Sequence, residues 1–275
     1  MNENSSQESQ LILKMLWQNR LYQNQPIPSF DDVQFRAYSQ NGEDGILLFI
    51  FSLIGTTNKK CVELCAGNAI ECNAANLIVN HGWLGLLFDG DQKNIDEGKE
   101  FYAGHRSTRI WPPNLQCSWI TKDNINQLIE SHGVSGDIDL LSLDMDGNDY
   151  WILESLNIIS PRVIILEYEN SWPADKAVTQ RYEEDFHDSQ TTDRSLLPRY
   201  GASLAAFKKL AGDKGYRLVG CERLSFNAIF MRNDIGVDIF PSIDVADCLS
   251  HDLPRRRLDY LENNSDKLLD KWVEV

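Results

Sequence analysis

From Lys60 onward the chain alternates short apolar runs with stretches of helical character, and this alternation restricts the fold more than any other feature. Such a pattern is typical of a parallel β-sheet whose two faces are covered by helices. Helices are expected over Cys72–Asn80, Asp123–His132, Tyr150–Leu156 and Ser203–Lys214, after a buried helix over Gly45–Ile54. The predicted strands are Cys61–Ala66, Leu84–Phe88, Ser118–Ile120, Ile138–Leu143, Val163–Leu166, Tyr216–Val219 and Ala228–Met231.

The length of 275 residues, 42% of them hydrophobic, suits one sizeable core with terminal extensions. We expect residues 1–34 to form a polar arm that frays around a short helix over Leu11–Leu21. The central domain is predicted to span residues 35–240, and residues 241–275 form a C-terminal extension. Within the domain, residues 169–200 lose all periodicity, which is typical of a variable segment on the substrate side.

The charge balance disfavours two classes of partner. The chain carries 41 acidic residues against 26 Lys and Arg, a formal net charge of −15. Such a field repels nucleic acid and anionic membrane surfaces. The N-terminal residues lack the features of a signal peptide, and the longest apolar run, Ile46–Ile54, is too short to span a bilayer. None of the six cysteines forms a C-x-x-C pair, so a soluble protein of the reduced cytoplasm is expected.

A turn containing Gly67 follows the first predicted strand, and a helix begins soon after it. Ligands of open α/β sheets bind at the carboxyl ends of strands, and glycine permits a close approach of the backbone. Glu63, at the end of this strand, would repel a pyrophosphate but suits the ammonium and sulfonium groups of S-adenosylmethionine. Asp89 ends the second strand, where an acid binds both ribose hydroxyls.

These residues belong to a longer resemblance. Six segments occur along the chain in this order: Tyr38-Ser39-Gln40-Asn41-Gly42-Glu43-Asp44-Gly45, Val62–Leu77, Trp83–Asp91, Trp119-Ile120-Thr121 with Asn124-Ile125, Asp137–Trp151 and Tyr200-Gly201-Ala202-Ser203. Together they resemble the FkbM-type methyltransferases, a branch of the class I S-adenosylmethionine-dependent enzymes. The resemblance covers about Phe35 to Arg232.

The resemblance implies a Rossmann-like α/β fold with a seven-stranded, mostly parallel sheet whose last strand is antiparallel. It also implies methyl transfer, usually to a hydroxyl, and an acceptor that is a saccharide or another small molecule. Family members usually carry glycine at the positions of Cys65 and Ala69, and here only Gly67 remains. A module that binds S-adenosylmethionine or S-adenosylhomocysteine without catalysis is therefore one alternative. An NAD-type oxidoreductase is a weaker one, because G-x-G-x-x-G is absent and Glu63 is present.

Acids follow the fourth and fifth predicted strands. Asp144, Asp146 and Asp149 come after Leu143, and Glu167 comes after Leu166. A hydroxyl acceptor needs a base or a metal ion to take up or displace its proton, and Mg²⁺ prefers such oxygen ligands. The alternative for Asp146 and Asp149 is a structural turn with a helix cap.

We predict that Asp144 and Glu167 are catalytic, with His187 in the variable segment as a further base. Gln40, Glu43 and Asp44 are expected in a turn that closes over the methionine end of the cofactor. The alternative for Glu43 and Asp44 is a capping role at the start of the following helix. The predicted cofactor-binding residues are Gln40, Glu43, Glu63, Cys65, Gly67, Asn68, Asp89, Gly90 and Asp144. The cofactor is S-adenosylmethionine, with Mg²⁺ as a second candidate, and the sequence leaves the metal ligands and the oligomeric state open.

Overall fold

The computed structural model describes residues 3–186, 198–265 and 270–275. Its strands are β1 (Lys60–Leu64), β2 (Leu84–Asp89), β3 (Asn114–Cys117), β4 (Gly136–Leu143), β5 (Ile159–Glu167), β6 (Val178–Gln180), β7 (Tyr216–Cys221), β8 (Asn227–Arg232) and β9 (Trp272–Glu274). Its helices are α1 (Glu3–Tyr22), α2 (Phe30–Val33), α3 (Glu43–Ile54), α4 (Ala75–His81), α5 (Gln92–Gly104), α6 (Ile125–Ser131), α7 (Asp149–Ser155), α8 (Leu204–Asp213), α9 (Val245–Cys248) and α10 (Asp252–Asn264).

Seven strands of the described residues form one sheet in the order β3-β2-β1-β4-β5-β8-β7. The pairs β1–β2 and β2–β3 are parallel, whereas β8 is antiparallel to both β5 and β7. β8 is the last strand of this sheet along the chain. The predicted α/β fold class, with a seven-stranded and mostly parallel sheet that ends in an antiparallel strand, is therefore confirmed.

One strand was predicted at the wrong place. The run Ser118–Ile120 was expected to be a strand, but β3 is Asn114–Cys117. β3 lies at the edge of the sheet, where only Leu115 of its four residues is buried. Its position is set by hydrogen bonding to β2, and an edge strand of this kind carries little apolar signal.

The chain divides into two compact units, Met1–Trp119 with Ile138–Ser142 and Ile120–Asp137 with Leu143–Val275, here called the first and the second unit. In the first unit, the N-terminal helix is longer than the short segment expected over Leu11–Leu21. Trp17 is buried with its ring edge-to-face on Phe49 at 5.2 Å. Gln10 is buried as well, and its amide exchanges hydrogen bonds with that of Asn76. These buried contacts stabilise α1 against fraying.

In the second unit, Ser203 caps α8 as predicted, since its side chain accepts a hydrogen bond from the backbone N–H of Ala206. Strand β6 lies within the segment predicted to be variable, and it pairs antiparallel with β9 from the C-terminal extension. Trp272 of β9 packs edge-to-face on Trp172, with ring centroids 5.1 Å apart. The extension thus belongs to the packing of the second unit. The domain boundaries at residues 34 and 240 stay predictions.

No helix in the described part of the chain combines the length and the apolar character that crossing a membrane requires.

Candidate active site

The turn after β1, residues 65–69, adopts an unusual backbone. Cys65, Gly67 and Ala69 have φ angles of +59°, +55° and +58°. This left-handed region favours glycine, and side chains raise its energy. The two positions where the resemblance leads us to expect glycine therefore keep a glycine-like conformation with Cys and Ala in place. A Cβ added to Gly67 would meet no atom within 4 Å, so open space lies above this turn, which we call the glycine turn.

The Asp89 carboxylate, at the end of β2, holds the glycine turn. One oxygen accepts a hydrogen bond from the backbone N–H of Gly67 at 2.9 Å. The other accepts from the backbone N–H of Asp91 and from the Asn94 amide, each at 2.9 Å. A carboxylate has about four acceptor positions, so three protein donors leave room for a further donor such as a hydroxyl.

Gly90 lies under an aromatic ring. A Cβ at Gly90 would approach Cε3 of Trp119 to 3.2 Å, so a larger residue would push the indole away. The Trp119 side chain is 43% exposed. A partly exposed aromatic ring thus lies directly beside the residue that follows Asp89. The sequence placed Trp119 in a recognisable motif but gave no sign of this position.

The Glu63 carboxylate, near the end of β1, is hydrogen-bonded to donors of the protein itself. It is 4% exposed, and its carboxylate accepts hydrogen bonds from the backbone N–H groups of Asn73 and Ala74 and from the Ser142 hydroxyl. Burial raises its pKa above the ordinary value, against these hydrogen bonds and one from the Cys72 thiol, which favour the charged form. With these donors in place, Glu63 fixes the loop before α4, and its contact with the cofactor's ammonium group stays a prediction.

The turn before α3 lies beside the loop that follows β1. The Gln40 amide donates to a carboxylate oxygen of Glu71 at 3.2 Å, and the side-chain oxygen of Asn68 accepts from the backbone N–H groups of Ile70 and Glu71. Glu43 is buried, and its carboxylate accepts from the backbone N–H of Asn41. Gln40 thus reaches the segment that begins at the glycine turn. Glu71, an exposed carboxylate, was not predicted as part of the site.

The Asp44 carboxylate holds the backbone of the same turn by hydrogen bonds. A single oxygen of its carboxylate accepts from the backbone N–H groups of Ala37, Tyr38 and Ser39 at 2.7, 2.6 and 2.8 Å. The other oxygen is buried and has no hydrogen-bond partner among the described residues. Burial raises the pKa of Asp44 to about 6. Asp44 is thus a structural residue of the turn.

The second unit contains an acid cluster of three carboxylates, Asp144, Asp146 and Glu167. One oxygen from each lies within 4.8 Å of the others. Burial raises the pKa of Glu167 well above its ordinary value, and the negative charges of Asp144, Asp146 and Asp149 raise it further. Two of the three are the residues predicted to be catalytic, and the structure brings them together.

Asp149 is the first residue of α7, and its carboxylate turns back on the preceding loop. It accepts from the backbone N–H groups of Met145 and Gly147 at 2.8 and 3.0 Å. Burial raises its pKa to about 6. This carboxylate shapes the loop that carries Asp146, whose φ is +54°. Asp149 is thus structural, although it holds the preceding loop and the N-cap position of α7 is Asn148. Asp146 lies in the expected turn and also belongs to the acid cluster. His187 lies outside the described residues.

The solved structures that resemble this chain include remote matches at 10–13% sequence identity. No family model matches the chain, and no curated protein does. The magnesium protoporphyrin IX methyltransferase of Synechocystis PCC 6803, solved with bound SAM, is 13% identical with a TM-score of 0.41, over 69% of this chain and 77% of that one. An S-adenosylmethionine-dependent methyltransferase from Clostridium acetobutylicum is 10% identical with a TM-score of 0.38, over 64% of this chain and 85% of that one. The CcbJ methyltransferase of Streptomyces caelestis is 12% identical with a TM-score of 0.39, over 69% of this chain and 94% of that one. The fold assignment rests on the strand order of the sheet, because structural similarity with TM-scores below 0.5 does not support an assignment by itself.

Proposed function

We propose that this chain is an S-adenosylmethionine-dependent methyltransferase of the FkbM type that acts on a hydroxyl of a saccharide or small metabolite. The observation that carries the proposal is the hydrogen bond from the Gly67 backbone to the Asp89 carboxylate at 2.9 Å. This hydrogen bond links the turn that is open to a ligand with the acid predicted to bind the ribose. The two lie at the ends of the adjacent strands β1 and β2 in the first unit.

In this proposal the first unit binds the cofactor. Asp89 accepts from a ribose hydroxyl with its remaining acceptor position, and the Trp119 indole stacks on the adenine. The glycine turn lies against the cofactor backbone through Gly67. The ammonium group is assigned to the pair of Gln40 and Glu71, because Glu63 is engaged with protein donors.

Titration calorimetry with S-adenosylhomocysteine tests the cofactor assignment. Asp89→Ala should weaken binding about tenfold or more, since a ribose hydroxyl then lacks its partner at a cost of about 1–3 kcal/mol. The matched control is Asp91→Ala, which removes an exposed carboxylate that only caps α5. Equal affinities of a folded Asp89→Ala variant and the parent would remove Asp89 from the site. Binding of NAD in place of S-adenosylhomocysteine would favour the oxidoreductase.

The second unit is proposed to activate the acceptor. The hydroxyl oxygen attacks the methyl carbon, the carbon–sulfur bond breaks to release S-adenosylhomocysteine, and Glu167 takes the hydroxyl proton. Burial and neighbouring charges raise the pKa of Glu167, which makes its carboxylate a stronger base than an exposed one. Asp144 faces the same proton, and His187 stays a prediction as a further base.

Mg²⁺ is the alternative means of activation, since three carboxylates are the hard oxygen ligands that it prefers. Asp144, Asp146 and Glu167 would hold the ion, which would lower the pKa of the bound hydroxyl and relieve the repulsion among the acids.

Turnover measured with and without a chelator separates the two routes. With Glu167 as base, a chelator has no effect, the rate falls as the pH falls through the raised pKa, and Glu167→Gln abolishes turnover. With Mg²⁺, chelation abolishes turnover and added Mg²⁺ restores it. Activity that is indifferent to the chelator, to Asp144→Asn and to Glu167→Gln would refute both. Binding of S-adenosylhomocysteine without turnover on any hydroxylated acceptor would favour the binding-only module.

A further inference from the structure

The side-chain amide of Gln180 is buried without a partner. Gln180 is 2% exposed, and neither its Nε2 nor its Oε1 has a hydrogen-bond partner among the described residues. Its backbone, by contrast, is fully engaged. Its N–H donates to the Gly201 carbonyl at 3.0 Å, and its carbonyl accepts from Nε1 of Trp151 at 2.9 Å. The strand is therefore held firmly while the amide that it carries is unused.

A buried amide with both ends unpaired is rare, because desolvation removes its hydrogen bonds to water and returns nothing. Such a group destabilises the fold unless another molecule supplies the partners. Sites that trade stability for binding are the usual places where it is retained. The contrast with the engaged backbone of the same residue points to a ligand as the missing partner.

The amide lies against the loop that carries the acid cluster. A Cβ at Gly147 would come within 2.8 Å of Nε2 of Gln180 and within 2.5 Å of the Phe186 ring. Only a glycine permits both side chains to lie there, and Gly147 directly follows Asp146. The Phe186 ring also packs on Tyr200, with ring centroids 6.2 Å apart. Around Gly147 the structure thus combines carboxylates, an unpaired amide and aromatic rings.

We propose that Gln180 binds the methyl acceptor and selects one with two neighbouring hydroxyls, a saccharide or related polyol. The inference rests on the proposed function and names its substrate class. The planar amide offers a donor and an acceptor side by side, and each hydroxyl of a vicinal pair both donates and accepts. Phe186 supplies the apolar surface on which the carbon face of a sugar ring packs.

The test uses Gln180→Met, which keeps the length of the side chain and removes both polar atoms. Three probes are titrated by ligand-observed NMR with S-adenosylhomocysteine bound: cyclohexanol, trans-1,2-cyclohexanediol and methyl α-D-glucopyranoside. The parent should bind the two probes with adjacent hydroxyls more tightly than cyclohexanol, and Gln180→Met should weaken their binding about tenfold or more. Cyclohexanol binding should change little. Gln127→Met, at an exposed position of α6, is the matched control.

Thermal unfolding provides a second readout that does not depend on any acceptor. If the amide serves a ligand, Gln180→Met unfolds at the same temperature as the parent or higher, because a buried unpaired group is removed. A lower unfolding temperature or a failure to fold means that the amide is structural and overturns the inference. So does a stable variant with unchanged diol binding, or a parent that binds S-adenosylhomocysteine but no probe. A parent that does not bind S-adenosylhomocysteine refutes the proposed function, and the inference falls with it.

Discussion

Asp44 should make the stability of this protein depend on pH in a specific window. Its carboxyl has a pKa of about 6 in the folded chain, against 3.8 for an ordinary aspartate, because burial disfavours its charged form. At pH values well below 3.8 the group is protonated in the folded and the unfolded state alike. As the pH rises from 4 to 6, the unfolded state ionises first, and the folded state loses stability relative to it. Each pH unit of difference between the two pKa values corresponds to about 1.4 kcal/mol, so this group lowers the free energy of unfolding by ~3 kcal/mol across the window.

The assay is denaturant unfolding at several pH values between 4 and 7 for the parent and for Asp44→Asn. The amide introduced by this substitution does not titrate, so the difference in unfolding free energy between the two proteins should change by ~3 kcal/mol and level off above pH 6. Asp31→Asn removes the same charge from an exposed side chain and reports the effect of net charge alone. A parent–variant difference that stays constant over the window would refute the reasoning, and so would one that changes in the opposite direction.

Three further substitutions test the backbone of the glycine turn and the docking of the N-terminal helix. Cys65→Gly should raise the free energy of unfolding by about 0.5–1 kcal/mol, because relief of a left-handed side chain exceeds the entropic penalty of glycine. Ala69→Gly should not raise the free energy of unfolding, because it also deletes a fully buried methyl group worth about 0.8 kcal/mol. Denaturant unfolding measures both variants, and equal changes in their free energies of unfolding would contradict this expectation. Trp17→Ala should lower the free energy of unfolding by about 3–5 kcal/mol, because the indole is buried on Phe49. A loss below about 1 kcal/mol would show that α1 contributes little to the first unit.

The sequence predicted the strands that are largely buried. β1, β2, β4 and β8 are rich in apolar residues, so each is visible as a short run between helices or turns. The prediction of secondary structure failed for elements whose position depends on strand pairing or helix packing more than on a run of apolar residues. The edge strand β3 was placed too late along the chain, and α5 was not predicted because only Ile95, Gly98 and Tyr102 of its residues are buried.

For the candidate site, the sequence by itself determined which residues stand at strand ends. Asp89, Asp144 and Glu167 follow apolar runs, and the adjacency of parallel strands brings such residues to one edge of a sheet. Only the tertiary structure decided what each carboxylate does, since that depends on donors and charges from distant parts of the chain. Glu63 meets Ser142, 79 positions away, and becomes structural, whereas Glu167 meets Asp144 and Asp146 and becomes an acid with a raised pKa. Gln180 carries no sequence signal at all. Its buried amide has no hydrogen-bond partner among the described residues, and an unpaired group is a property of the folded chain alone.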